Sequence, residues 1–182
     1  MIAILLAGGK GTRLLPLTKT TPKCLIDIAG KPCIVRVMEH LKSHGVDKFI
    51  INLHHLPSMV IKTLSKYPFD ILYLYEPELL GFEGTIKKLK PWVNNQPFVV
   101  ANADTITNVD IKTMIKRRQE DVLGKITYFD IDGKTQAGTW VFGPDYLTSP
   151  DRFTDTYNEP NSFWLDIGTP ENLIKARKFY ES

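Results

Sequence analysis

Apolar runs and amphipathic stretches alternate along the 182 residues of the chain. The opening run Ile2-Ala3-Ile4-Leu5-Leu6-Ala7 reads as a buried strand. Residues 32–44 read as a helix, because Ile34, Val35, Met38 and Leu41 recur on one face and Pro32 suits a first helical position. Further strands are predicted at 48–53, 70–75 and 98–101, and further helices at 59–66, 85–89 and 111–118. This rhythm predicts an α/β fold: a three-layer, Rossmann-like, mostly parallel (mixed) sheet with helices on both faces. Beyond residue 124 the rhythm changes. Residues 125–129 and 139–142 read as strands joined through Asp132-Gly133, a hairpin signal. The last helix, 171–180, is announced by Thr169 as N-cap and Pro170 at the first turn. No repeat, low-complexity tract or linker interrupts the pattern, so residues 1–182 are read as one domain.

In open α/β sheets, ligands sit beyond the carboxyl ends of the strands. Three segments follow predicted strands and so meet at one edge: Gly8-Gly9-Lys10-Gly11-Thr12-Arg13, residues 76–84, and Asn102-Ala103-Asp104. Glycine lets backbone N–H groups approach an anion, and Lys and Arg supply compensating charge, so the first segment suits phosphates. It is not a Walker loop, which ends Gly-Lys-Ser/Thr, and it lacks the third glycine of a dinucleotide fingerprint. Gly133-Lys134-Thr135 has only the tail of a Walker loop.

Composition narrows the partners. A net charge of +3 suits an anionic small substrate better than a nucleic acid. Cys24 and Cys33 form neither a metal pair nor a disulfide framework, which fits a reduced, cytoplasmic setting. The first apolar run is too short for a membrane span and lacks a basic lead, so neither a membrane anchor nor a signal peptide is expected. His54 and His55 are adjacent and would point to opposite faces of a strand, a poor metal pair. Asp130-x-Asp132-Gly133 lacks the remaining spacing of a calcium loop. No Ser-His-Asp or Cys-His arrangement stands out, and Trp92, Trp140 and Trp164 read as packing residues, with Trp140 a candidate border of a ligand.

A longer pattern carries a family resemblance. Leu6-Ala7-Gly8-Gly9-Lys10-Gly11-Thr12-Arg13-Leu14-Leu15-Pro16-Leu17-Thr18, then Thr21-Pro22-Lys23, then Gly30-Lys31-Pro32, resembles the signature of the sugar-1-phosphate nucleotidyltransferases. The likeness continues through Asn52-Leu53-His54, Tyr75-Glu76-Pro77-Glu78-Leu79-Leu80-Gly81 and Asn102-Ala103-Asp104, and ends at Trp164-Leu165-Asp166-Ile167-Gly168-Thr169-Pro170-Glu171. It implies an EC 2.7.7-type enzyme that joins an NTP to a sugar 1-phosphate and releases pyrophosphate. Such a transfer has no covalent protein intermediate, so positioning and electrostatics carry it.

The resemblance also implies roles. Leu6, Ala7, Gly8, Gly9, Lys10, Gly11, Thr12 and Arg13 would cradle the nucleotide, with Glu76, Gly81 and Gly84 lining the base and Asn102 also binding the nucleotide. Arg13 would hold the β- and γ-phosphates, and Lys23 would contact the α-phosphate and the incoming sugar phosphate. Gly138, Thr139 and Lys134 would face the sugar phosphate. The family's Glu-Lys-Pro is missing, so Lys134 or Lys125 would have to replace its lysine. Asp104 and Asp166 would be the ligands of Mg²⁺. Spacing alone leaves Asp104 open as a strand-end turn residue and Asp166 as a cap. Glu76, Glu78 or Glu83 could accept hydrogen bonds from guanine N1–H and N2–H₂, which favours GTP slightly. Phe82 and Ala103 depart from the family pattern, which usually has a small or hydroxylated residue and a glycine there. Two alternatives stay open: a non-catalytic nucleotide- or sugar-sensing module, and transfer to a non-sugar phosphate such as phosphocholine. Assembly into a homo-oligomer is compatible with each.

Overall fold

A computed structural model describes residues 1–93, 96–120, 126–130, 136–143, 154–157 and 162–181. In chain order the strands are β1 (Ile2–Leu6), β2 (Asp27–Ile28), β3 (Lys31–Pro32), β4 (Lys48–Leu53), β5 (Asp70–Tyr75), β6 (Phe98–Asn102), β7 (Thr105–Thr107), β8 (Ile126–Asp130), β9 (Gln136–Phe142), β10 (Thr154–Tyr157) and β11 (Trp164–Asp166). The helices are α1 (Cys33–Ser43), α2 (Pro57–Leu64), α3 (Gly81–Leu89), α4 (Ile111–Glu120) and α5 (Pro170–Glu181).

Seven strands form one sheet in the order β10-β8-β9-β6-β1-β4-β5. Only β9 runs against its neighbours β6 and β8; the pairs β1–β4, β1–β6, β4–β5 and β10–β8 are parallel. The mixed, mostly parallel expectation therefore holds. β1 is buried on both faces, and its residues part between two cores. Ala3 and Leu5 point with Phe49, Ile51, Val99 and Ala101 toward α1, α2, α4 and α5. Ile4 points with Ile50, Val100 and Phe142 toward α3. A strand buried on both faces reads as a continuous apolar run, which is why this one was visible in the sequence.

Two differences concern helix starts. Pro32 stands just outside α1 with an extended ψ of 140°, since its ring fits the flanking position as well as the first turn. Helix α3 begins at Gly81, four residues ahead of the predicted start, because Gly81 takes φ +68° and turns the chain into the helix. Thr169 does cap α5, its Oγ1 accepting from the Asn172 N–H at 3.2 Å. β8 and β9 pair antiparallel as expected of a hairpin; the Asp132-Gly133 turn, Lys125 and Lys134 lie outside the described residues.

Candidate active site

The carboxyl ends of β1, β4, β5 and β6 open onto a cleft of about 420 Å³. It is lined by the loop after β1 (Gly8, Gly9, Arg13), by Lys23, Asn52 and Glu76, by Gly81 and Phe82, and by Asn102, Asp104 and Asp166.

The loop after β1 is tied at both ends. The Ala7 N–H donates to Asn52 Oδ1 at 2.7 Å. Gly11 sits at φ +63°, a conformation that strains any residue with a Cβ. Its carbonyl accepts from Thr18 Oγ1 at 2.8 Å, and the Thr18 carbonyl accepts in turn from His55 Nε2 at 3.0 Å. His54 likewise donates Nδ1–H to the Glu76 carbonyl at 2.9 Å, so both histidines serve loop structure. Arg13 projects from a single 3₁₀ turn, Thr12–Leu14, anchored by buried Leu14. Lys10 and Thr12 are exposed, and a Cβ added at Gly11 would meet Thr18 and Lys23.

Asp104 and Asp166 lie 62 positions apart in the numbering. The short ladder β7–β11 makes them neighbours, because its register sets Asp166 opposite Thr105. The Ile167 N–H donates to the Asp104 carbonyl at 3.1 Å, which fixes the two backbones together. Lys23 comes from a third place, a 3₁₀ turn (Lys23–Leu25) opened by Pro22. Its Nζ lies 2.5 Å from Asp104 Oδ2 and 2.8 Å from Asp166 Oδ1. Arg13 Nη2 stands 3.5 Å from Asp166 Oδ2. Burial alone would lower the Lys23 pKa, but the Asp104 and Asp166 carboxylates outweigh it and hold the ammonium above its ordinary range. The adjacent Cys24 thiol is pushed up to about 12 by burial and then by the charge of Asp104, so it is neutral and no nucleophile.

Gly168 closes this cup. Its N–H donates to Asp166 Oδ1 at 2.8 Å. A Cβ added there would stand 2.8 Å from Arg13 Nη2, 2.9 Å from Asp166 Oδ1 and 2.9 Å from Lys23 Nζ. Only a residue without a side chain leaves the charged groups where they are.

At the other end of the cleft, Glu76 is fully buried. Its Oε1 accepts from Thr85 Oγ1 at 2.6 Å and its Oε2 from the Leu80 N–H at 3.4 Å. The carboxylate thus braces the loop before α3 while lining the cleft. Phe82 packs edge-on against Trp140, with ring centroids 5.0 Å apart. Gly84 lies inside α3 against Leu80. Gly138 abuts the Asn102 amide. Thr139 is buried on the opposite side of β9, where Arg36, His40 and Tyr180 also converge. Asn52 and Thr85 escaped the reading of site residues. Asn52 did leave a signal, a lone polar side chain inside the apolar run of β4. Thr85 left none.

A glycine loop after β1, two cations and two carboxylates meet around one cleft. The family description "Nucleotidyl transferase" matches residues 2–138. The chain belongs to that family, and the resemblance to sugar-1-phosphate nucleotidyltransferases read from its sequence holds. It is 26% identical to mannose-1-phosphate guanylyltransferase 1 of Arabidopsis thaliana over 99% of this chain and 64% of that protein. It is 31% identical to mannose-1-phosphate guanyltransferase of Emericella nidulans over 85% of this chain and 44% of that one. The chain therefore spans about half to two thirds of the length of these relatives. Among solved structures, HddC from Yersinia pseudotuberculosis shares the fold with a TM-score of 0.82 at 24% identity, covering 98% of this chain and 99% of that one. UDP-glucose pyrophosphorylase from Acinetobacter baumannii does so with a TM-score of 0.83 at 17% identity, covering 99% and 93%. No helix among the described residues is long and apolar enough to cross a membrane.

Proposed function

We propose that residues 1–182 act as one unit that joins GTP to a sugar 1-phosphate, giving a GDP-sugar and pyrophosphate. The observation that carries this is the convergence of Arg13, Lys23, Asp104 and Asp166, from four separate segments, on one cleft beyond the glycine loop. The reaction drives one phosphate anion against another, and cations fixed at the meeting point lower its barrier. Arg13 neutralises the departing pyrophosphate. Lys23 neutralises the α-phosphate and orients the attacking phosphate oxygen. The sugar phosphate attacks as an anion, so no protein base is needed.

Asp104 and Asp166 fit a divalent cation. Their oxygens converge closely enough to share one ammonium, and no cluster of three acidic, histidine or cysteine ligands exists among the described residues. Two carboxylates with the remaining positions left to phosphate oxygens and water is the pattern of Mg²⁺. Bound there, the ion would screen the phosphate charge and align the oxygens for in-line displacement.

Glu76 supports guanine. A carboxylate buried in the cleft accepts the N1–H and N2–H₂ of guanine, whereas it would face a lone pair of adenine. The guanylyltransferase names of the relatives agree with this, as does a structure of HddC complexed with GMP-PN. Mannose 1-phosphate is the first acceptor to test.

The deciding experiment measures pyrophosphate release with each NTP, Mg²⁺ and a panel of sugar 1-phosphates, beside phosphocholine. Release with GTP and a sugar 1-phosphate is expected. Tight GTP binding with no pyrophosphate from any acceptor would mark a sensing module instead.

A further inference from the structure

The cup formed by Asp104 and Asp166 is filled by the chain's own ammonium. We propose that Lys23 is a built-in counter-ion latch: in the free protein it holds both carboxylates, it must leave before a divalent cation can enter, and an arriving triphosphate draws it out. This rests on the reading of Asp104 and Asp166 as metal ligands given above.

The geometry makes the two cations exclusive. Lys23 Nζ touches Asp104 Oδ2 and Asp166 Oδ1 at the same time. A small hard cation needs those same oxygens at about 2.0–2.1 Å, the place the ammonium holds. The Gly168 side of the cup is closed to a second ion. Gly168 donates its N–H to Asp166 Oδ1 and stands so close that even one added carbon would meet Lys23 Nζ at 2.9 Å.

The latch also has somewhere to go. Its backbone is fixed in a 3₁₀ turn, but a lysine ends in a flexible four-carbon stem. Arg13, with two thirds of its side chain exposed, marks the open side of the cup, where anionic phosphates would gather. Before substrate arrives, two cations balance two carboxylates, so a free divalent ion gains little by entering. Once a triphosphate lies along the loop after β1, Lys23 finds a new anion and the carboxylates are released. Nucleotide binding and cation binding then favour each other reciprocally.

The test uses Mn²⁺ as probe, counted by electron paramagnetic resonance with no nucleotide present, so that binding of the ion to the triphosphate itself plays no part. Lys23→Met should bind Mn²⁺ at least tenfold more tightly than the unaltered protein. The gain should vanish in Lys23→Met with Asp104→Asn. A second measurement needs no variant of Lys23. Reductive methylation followed by mass spectrometry should find Lys23 protected relative to exposed Lys19 and Lys48, and several-fold faster to react once Mn²⁺ saturates the site. Equal Mn²⁺ affinity with and without the lysine, or protection unchanged at saturating Mn²⁺, overturns the latch and leaves the metal ligands standing. Failure of the parent and of Lys23→Met alike to hold Mn²⁺ overturns both.

Discussion

Asp104 illustrates how little of a residue's role lies in its own neighbourhood in the chain. It lies in the turn between β6 and β7, a position that any turn-forming residue could fill. Its partner Asp166 and its counter-ion Lys23 are supplied by tertiary structure. Replacing Asp104 with Asn keeps the shape and removes one charge, while Lys23 retains Asp166. We expect metal-dependent turnover to fall about 10²–10³-fold, the scale of losing one electrostatic contact to the transition state. Circular dichroism and the thermal midpoint should stay near those of the parent. Normal pyrophosphate release by this variant would remove Asp104 from the metal site. Arg13 was readable as a candidate phosphate contact because it ends a glycine-rich loop after a strand, and Lys23 only through the family resemblance. Gly168 was readable only as part of a motif; its physical role, the absence of a Cβ between three charged groups, needed coordinates.

At the scale of elements, the long ones were visible and the short ones were not. β4 and β5 match the expected 48–53 and 70–75, since six apolar-rich residues give a clear signal. β7 and β11 have three residues each, too few for a period to show. They exist because they pair with each other, yet they are what brings the two aspartates together. Helix α3 shows the same tension. Its two glycines weaken the local helical pattern, and the Thr85 hydroxyl on Glu76 helps compensate by tying the helix to the preceding loop. Thr85→Val removes that donor and leaves a buried carboxylate short of a hydrogen bond. A loss of about 1–3 kcal/mol in unfolding free energy is expected, with weaker nucleotide binding and with Thr85→Ser restoring both. Urea melts and nucleotide titrations would check this. If Thr85→Val binds nucleotide as the parent does, the brace has no bearing on the base site.

Considered whole, the molecule couples its stability to pH through a histidine remote from the cleft. His40 is lowered from 6.5 to about 4, first by burial, then by nearby His44, against weaker opposing effects of the Val109 carbonyl and Asp110. Its Nε2 donates to the Val109 carbonyl at 3.0 Å, tying α1 to the segment before α4. Because the unfolded chain takes up this proton more readily, the contribution is complete above pH 6.5 and is lost as pH falls toward 4. Roughly 3 kcal/mol is at stake over that window. Urea midpoints between pH 7 and 4 should fall less steeply for His40→Gln, whose amide can still donate to Val109, than for the parent. Parallel slopes would discard His40 as the titrating group.

The late arrival of β11 has a consequence for how the molecule comes to be active. The glycine loop and the strands β1, β4, β5 and β6 that surround it all precede β7 in chain order, whereas Asp166 belongs to the penultimate element. During synthesis, the loop and strands on one side of the cleft can therefore take shape on the ribosome while the carboxylate pair still lacks one member. The pair is completed late in the chain, where one three-residue ribbon lies against another and α5 packs over it.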